Sequence, residues 1–297
     1  MNDNSLRGVR RNGWKRLAVV LLTTICASCT SAERASRPVL PTCASLTTPQ
    51  PGGVYESSQV AFLSDSLKVG ALLTKPTGPG PFPAYVHNHG AMTQQSASGS
   101  LWSFPGEIDS RLASKGYVVL RPARRGYLGS EGNTTTYWVQ GSTLRASDVI
   151  YGAYEEAKDV QADVEYLRSC PFVDGRRIAI GGHSVGGLVT VIAATRRPDI
   201  AGALSINGGI SWVQNGIQEG YPAVSAVWRA EAKRLSAPIL LLHGRDDTVV
   251  TPELSRELAS LLERRGVHVT LKLYPGGHHF FPIDEILRFL DENVKGR

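Results

Sequence analysis

Short apolar segments alternate with amphipathic ones from residue 54 to the end of the chain, and this alternation limits the fold more than any single motif does. Val54–Leu63 and Leu67–Thr74 read as two strands joined through Ser64-Asp65-Ser66, and Pro83–His89 reads as a third. A helix is expected over 105–115, stopped by Gly116, and then a strand at Tyr117–Leu120. Ala157, Val160, Val164 and Leu167 lie on one face of a long helix at 147–168. Next come a strand at Arg177–Gly181, a helix at Val185–Arg197, and strands at Ala201–Ile206 and Ile239–His243. The helix at 252–265 has Thr251 as N-cap, Pro252 at its first position and Gly266 just past its end. Val267–Tyr274 is the last strand, and Ile283, Leu287, Leu290 and Val294 form the apolar face of a final helix.

Strands each followed by a helix imply a mostly parallel sheet covered on both faces, with reactive groups in the loops beyond the strands' carboxyl ends. Only 32 residues separate Ile206 from Ile239, too few for a large cap domain. The expectation is one α/β domain over residues 53–297. The 297 residues, 42% hydrophobic and 20% charged, have the composition of a soluble globular protein. A chain of that size can bury about 75% of its surface.

The formal charge of +6 is concentrated at the N-terminus: Arg7, Arg10, Arg11, Lys15 and Arg16 against Asp3 place +4 within residues 1–29. The remainder is nearly balanced, so no nucleic-acid partner is implied. Basic residues, the short apolar run Leu17–Ile25 and the small residues Ala27-Ser28-Cys29 have the form of an export signal. Ala27-Ser28-Cys29 is also similar to the end of a bacterial lipobox, which would lipidate Cys29 and attach the protein to a membrane; cleavage after Ala32 is the alternative. Residues 30–52, rich in Ser, Thr and Pro, read as a tether. Loss of the signal would leave Cys43 and Cys170, which could pair in an oxidising compartment or stand as separate thiols. No Cys/His spacing suits zinc and no phosphate-binding glycine loop is present, so no metal or organic cofactor is expected.

Three strand-end loops carry chemistry. Gly182-His183-Ser184-Val185-Gly186 lies between a strand and an apolar helix, the setting in which a serine on a sharp turn becomes a nucleophile. His243-Gly244-Arg245-Asp246-Asp247 offers an acid at a later strand end, either Asp246 or Asp247. Tyr274-Pro275-Gly276-Gly277-His278-His279 follows the last strand, and of the seven histidines only His278 and His279 are placed to act as a base. An oxyanion hole would use the amide of Val185 and one from the loop after His87-Asn88-His89-Gly90, either Ala91 or Met92.

These loops, with Gly80-Pro81-Phe82-Pro83-Ala84, Arg125-Gly126-Tyr127-Leu128-Gly129-Ser130 and Phe172-Val173-Asp174-Gly175, resemble the α/β-hydrolases of the dienelactone hydrolase-like and prolyl oligopeptidase-like branch over about residues 55–297. The resemblance implies the acid at the third position after His243-Gly244, which is Asp247. Counted from Tyr274-Pro275, it implies the base at His279, with His278 as the alternative. Dienelactone hydrolases proper use a cysteine where this chain has Ser184, which argues against that specific activity. Prolyl oligopeptidases carry a propeller for which 297 residues leave no room.

The activity implied is a carboxylic ester hydrolase working through an acyl-enzyme. A serine peptidase acting on short peptides is the second reading, and a non-catalytic binding lipoprotein a third. Trp102, Phe104, Trp138, Trp212 and Trp228 could line an acyl pocket or simply pack the loops onto the domain. Arg124 and Arg125 could bind a substrate anion or form a solvated basic turn.

Overall fold

The computed structural model describes residue 43 and residues 53–92, 106–135, 146–208, 221–279 and 282–296, all within Leu40–Arg297. Eight strands form one sheet: β1 (Tyr55–Ser64), β2 (Leu67–Pro76), β3 (Phe82–Asn88), β4 (Val118–Pro122), β5 (Val173–His183), β6 (Gly202–Ile206), β7 (Ile239–Gly244) and β8 (Val269–Tyr274). Their spatial order is β1-β2-β4-β3-β5-β6-β7-β8. β1 pairs antiparallel with β2, and β2 with β4; every later pair is parallel. The helices are α1 (Glu107–Ser114), α2 (Ala146–Ser169), α3 (Val185–Ala194), α4 (Tyr221–Ala232), α5 (Pro252–Glu263) and α6 (Ile283–Leu290), the last continuing as a wider turn over Asp291–Lys295.

Successive strand residues point to opposite faces, and here both faces are buried. Ala84, Val86, Ile178, Ile180, Ile239 and Leu241 enter one core with residues of α2, α3, α4 and α5. Tyr85, Ala179, Leu204, Leu240 and Leu242, the alternate positions, enter a second core with α1 and α6. The near-continuous apolar runs of the strands follow from this two-sided cover. α5 buries Leu254, Leu258 and Leu262, one residue per turn.

Helix ends follow their local chemistry. Gly116 takes φ +93° after α1, letting the Tyr117 N–H reach the Leu112 carbonyl, and Gly266 does the same after α5 with Val267 N–H on Leu262. Thr251 is the N-cap residue of α5 by its extended backbone, although its hydroxyl makes no capping bond. α3 stops at Ala194, three residues before the expected Arg197, because Arg196 and Arg197 bond three residues back rather than four. β5 begins at Val173, four residues ahead of the expected start, since Val173 pairs with Phe82. The segment before β7 contains a helix not expected from the sequence, α4, which buries Trp228 and Ala232.

Cys43 and Cys170 form a disulfide with Cα atoms 4.9 Å apart, joining the segment before β1 to the end of α2. Among the described residues no helix is long and apolar enough to cross a membrane. Residues 1–29, including Cys29, and most of the expected tether lie outside the described residues. The carboxyl ends of β3, β5, β6, β7 and β8 share one edge of the sheet, because these strands are parallel.

Candidate active site

The turn from β5 into α3 sets the site. Ser184 has φ 56° and ψ −122°, a backbone region that costs a non-glycine residue about 1–3 kcal/mol. The surroundings hold it there: the Ser184 N–H donates to the Ile206 carbonyl (2.8 Å), and its own carbonyl accepts from the Gly187 and Leu188 amides (2.9 and 3.2 Å). The flanking glycines are required by contact. A Cβ at Gly182 would stand 2.6 Å from the Gly186 carbonyl, and one at Gly186 would stand 2.4 Å from the His89 carbonyl.

Ser184 Oγ lies 2.9 Å from His278 Nε2, and His278 Nδ1 lies 2.7 Å from Asp247 Oδ2. An ionised Asp247 accepts from Nδ1–H, which leaves Nε2 unprotonated to accept the serine O–H. Asp247 is buried, and its Oδ1 accepts the amides of Val249 and Val250, both at 2.9 Å. Beneath it, His243 is bonded to Ser255 Oγ (2.6 Å) and the Val250 carbonyl (2.9 Å), with Nε2 3.3 Å from Asp247 Oδ2. Burial lowers the pKa of His243, keeping it neutral.

Of the two histidines, the sequence favours His279 with His278 as the alternative; the structure sets His278, and not His279, against Ser184 and Asp247. Gly276, with φ 136°, turns the chain after β8 so that His278 points inward and His279 is exposed. The Gly-His pair was therefore the better landmark, and counting from Tyr274-Pro275 overshoots by one residue. Of the two aspartates, Asp247 faces the imidazole. Asp246 is exposed and staples the loops together, its Oδ2 accepting the Gly276 amide (3.2 Å) and its N–H donating to the Gly276 carbonyl (3.0 Å).

The backbone of His278 is clamped as well. Its carbonyl accepts from His183 Nε2 and from Asn207 Nδ2, both at 2.6 Å. Burial drops the His183 pKa to about 4, so the ring is neutral with its proton on Nε2. Asn207, itself at φ 51°, accepts the Gly244 amide (2.9 Å) and the Tyr274 hydroxyl (3.0 Å) on Oδ1, binding β6, β7 and β8 together. Sequence reasoning missed both residues. His183 stood in the variable position of the serine motif, and Asn207 had no motif around it.

Val185 opens α3, so its amide is among those left unpaired by the helix itself. Gly90 abuts the turn from the other side: a Cβ there would stand 3.4 Å from Ser184 Cβ. Ala91, exposed, and Met92, half-buried, follow it.

Arg124 and Arg125 are neither solvated nor open to a substrate anion. Both are buried, Arg124 against Glu156 and Arg125 against Asp159 and Glu155. Of the aromatic candidates, Trp228 is 2% exposed and packs in the core among α2–α5. Trp102, Phe104, Trp138 and Trp212 lie outside the described residues. Among the described residues no group of side chains has the make-up of a metal site.

The "uncharacterized peptidase YtmA" of Bacillus subtilis is 26% identical over 272 residues, covering 84% of this chain and 97% of its own. An acetyl xylan esterase structure from Paenibacillus sp. R4 superposes with a TM-score of 0.66 at 20% identity, over 84% of this chain and 87% of that one. Pyrococcus horikoshii acylaminoacyl peptidase gives a TM-score of 0.63 at 21% identity; 82% of this chain matches only 42% of that longer one. The fold is thus shared by esterases and peptidases alike. The sequence profile of the Dienelactone hydrolase family matches residues 71–288, most of the chain and every strand-end loop described above. The chain belongs to the dienelactone hydrolase family, within the α/β-hydrolase superfamily.

Proposed function

We propose that this protein is a serine hydrolase of carboxylic esters, working through an acyl-enzyme on Ser184. The observation that carries this reading is the unbroken hydrogen-bonded row Asp247–His278–Ser184 on a strained strand-to-helix turn. Ser184 Oγ bonds to the acyl carbon while its proton passes to His278 Nε2. The intermediate then expels the alcohol, which takes that proton, and a water deprotonated by His278 releases the acid and restores the serine. Asp247 stays ionised, holding the tautomer and stabilising the imidazolium. The Val185 and Ala91 amides are the donors assigned to the oxyanion.

An intact row argues against the binding-protein reading. The ester reading draws support from the acetyl xylan esterase, which matches this chain nearly end to end. YtmA, also matched nearly end to end, is named a peptidase and keeps short peptides as the second reading. Export belongs to the same proposal, supported by the Cys43–Cys170 disulfide, a bond that persists in oxidising compartments. The test is a fluorophosphonate probe, which should label the wild type and not Ser184→Ala. Turnover of p-nitrophenyl acyl esters should then exceed that of aminoacyl anilides; turnover of the anilides alone would replace the ester reading with the peptide one.

A further inference from the structure

The loop after β3 is fastened from below by one arginine. Arg124, with 0% of its surface exposed, donates from Nε to Glu156 Oε2 on α2 (2.5 Å) and from Nη1 to the His89 carbonyl (2.7 Å). Its Nη2 stands 3.5 Å from the Gly90 carbonyl. The His89 ring completes the attachment: Nδ1–H donates to the Gly90 carbonyl (2.7 Å), and Nε2 accepts the backbone N–H of Arg124 (3.4 Å). Burial holds the His89 pKa well below its ordinary value, so the ring carries one proton, and the contacts place it on Nδ1.

In a trans peptide the C=O and the following N–H point in opposite directions. Both carbonyls are drawn down toward the guanidinium and the His89 ring, so the N–H groups of Gly90 and Ala91 are turned the other way. Gly90 itself presses on the serine turn, within ordinary contact distance of Ser184 Cβ. A flexible loop gains little from a donor that points the right way only part of the time, because an oxyanion hole works by being preorganised. A planar guanidinium with several fixed donors suits that task better than a lysine would.

We propose that Arg124, neutralised by Glu156, is the positioning residue of the oxyanion loop: it holds the His89 and Gly90 carbonyls and thereby aims the Ala91 N–H at the oxygen that becomes negative when Ser184 adds to an acyl carbon. The proposal rests on the serine hydrolase reading above, selects Ala91 over Met92 as the second donor, and gives a buried ion pair outside the Ser184–His278–Asp247 row a part in turnover.

Removing one member of a buried pair strongly destabilises a fold, whereas replacing both by apolar side chains is often neutral. The test is therefore the double variant Arg124→Met/Glu156→Leu, with p-nitrophenyl acetate turnover and fluorophosphonate labelling as readouts. A purely structural pair predicts that a folded double variant keeps its kcat. A positioning role predicts a kcat lowered about 10²–10³-fold, as for loss of one oxyanion donor. Labelling should slow in parallel, KM should stay within a few-fold, and the pH midpoint of kcat/KM should not move, because His278 is untouched. A folded double variant with wild-type kcat overturns the proposal and leaves the serine hydrolase reading standing. A wild type that neither turns over esters nor takes the probe overturns both. If the double variant does not fold, Arg124→Lys, which keeps the charge but not the fork, decides by the same criterion.

Discussion

His183 donates its Nε2–H to the backbone carbonyl of His278 at 2.6 Å, tying the residue before Ser184 to the residue whose ring faces it. The imidazole of His278 is thus fixed at both ends: its ring by Asp247 and its main chain by His183 and Asn207. Two loops far apart in sequence are locked in register by bonds that bypass the reacting atoms. A near-attack geometry depends on such locking, because a misplacement of about 1 Å can cost about 10²-fold in rate.

The first expectation separates the two adjacent histidines. His278→Gln should lower kcat for ester substrates by at least about 10³-fold, as loss of a general base does. His279→Gln should stay within a few-fold, because that ring is exposed and not bonded to Ser184 or Asp247 among the described contacts. Steady-state kinetics on the two purified variants checks it, and comparable losses in both would dissolve the distinction.

The clamp on the His278 carbonyl gives a second expectation. His183→Phe keeps a ring of similar size but removes the donor, leaving Asn207 as a single tie. kcat should fall about 10-fold or more with KM little changed, in line with a positional rather than a binding loss. Asn207→Ala should be worse for stability, since its side chain also holds the Gly244 amide and the Tyr274 hydroxyl. Thermal melts alongside kcat distinguish the two effects.

The paired aspartates differ in the same way. Asp247→Asn should keep the fold and lower kcat about 10⁴-fold, because a neutral amide favours the wrong imidazole tautomer. Asp246→Asn alters an exposed loop contact and should leave kcat nearly unchanged. A large loss in Asp246→Asn would show that the acid had been misassigned.

Much of this was legible from residue order alone. Strand–helix alternation carries the sheet because its central strands, such as β4, β6 and β7, are buried on both faces, and Ser184 announces itself through glycines that contact geometry demands. Gly116 and Gly266 mark helix ends for the same local reason. The single-residue choice between His278 and His279 was not legible, since it depends on how Gly276 turns the chain, a conformation that many glycine pairs could adopt differently. Nor was the burial of Arg124 and Arg125: two basic residues after a strand look solvated until α2 brings Glu155, Glu156 and Asp159 beneath them. α4 was not legible because Trp228 and Ala232, buried one turn apart, do not by themselves mark a helix in sequence.

The disulfide should matter for stability more than for chemistry. Cys43 and Cys170 are 127 residues apart in sequence, and closing a loop of that order stabilises by roughly 4–5 kcal/mol in the chain-entropy picture. Cys43→Ala should therefore unfold at clearly lower denaturant concentration, with kcat at moderate temperature preserved. Chemical denaturation with and without reductant provides the measurement; an unchanged midpoint would mean that the bond does not constrain the unfolded chain.

The last expectation concerns pH. Asp163 on α2 is fully buried, neither of its oxygens has a hydrogen-bond partner among the described residues, and burial, reinforced by Asp159, raises its pKa well above the ordinary carboxylate value. Its folded state holds a proton that the unfolded chain releases. With the folded pKa above the unfolded one, stability is greatest below the unfolded value and is lost as pH rises toward the folded value. Asp163→Asn keeps the shape and cannot ionise. It should match the wild type only below the unfolded carboxyl's pKa, about 4, and exceed it by a growing margin as pH rises from there toward the folded value, a divergence that denaturant titrations across that range would reveal. Parallel stability curves for the two proteins would show that Asp163 does not retain its proton on folding.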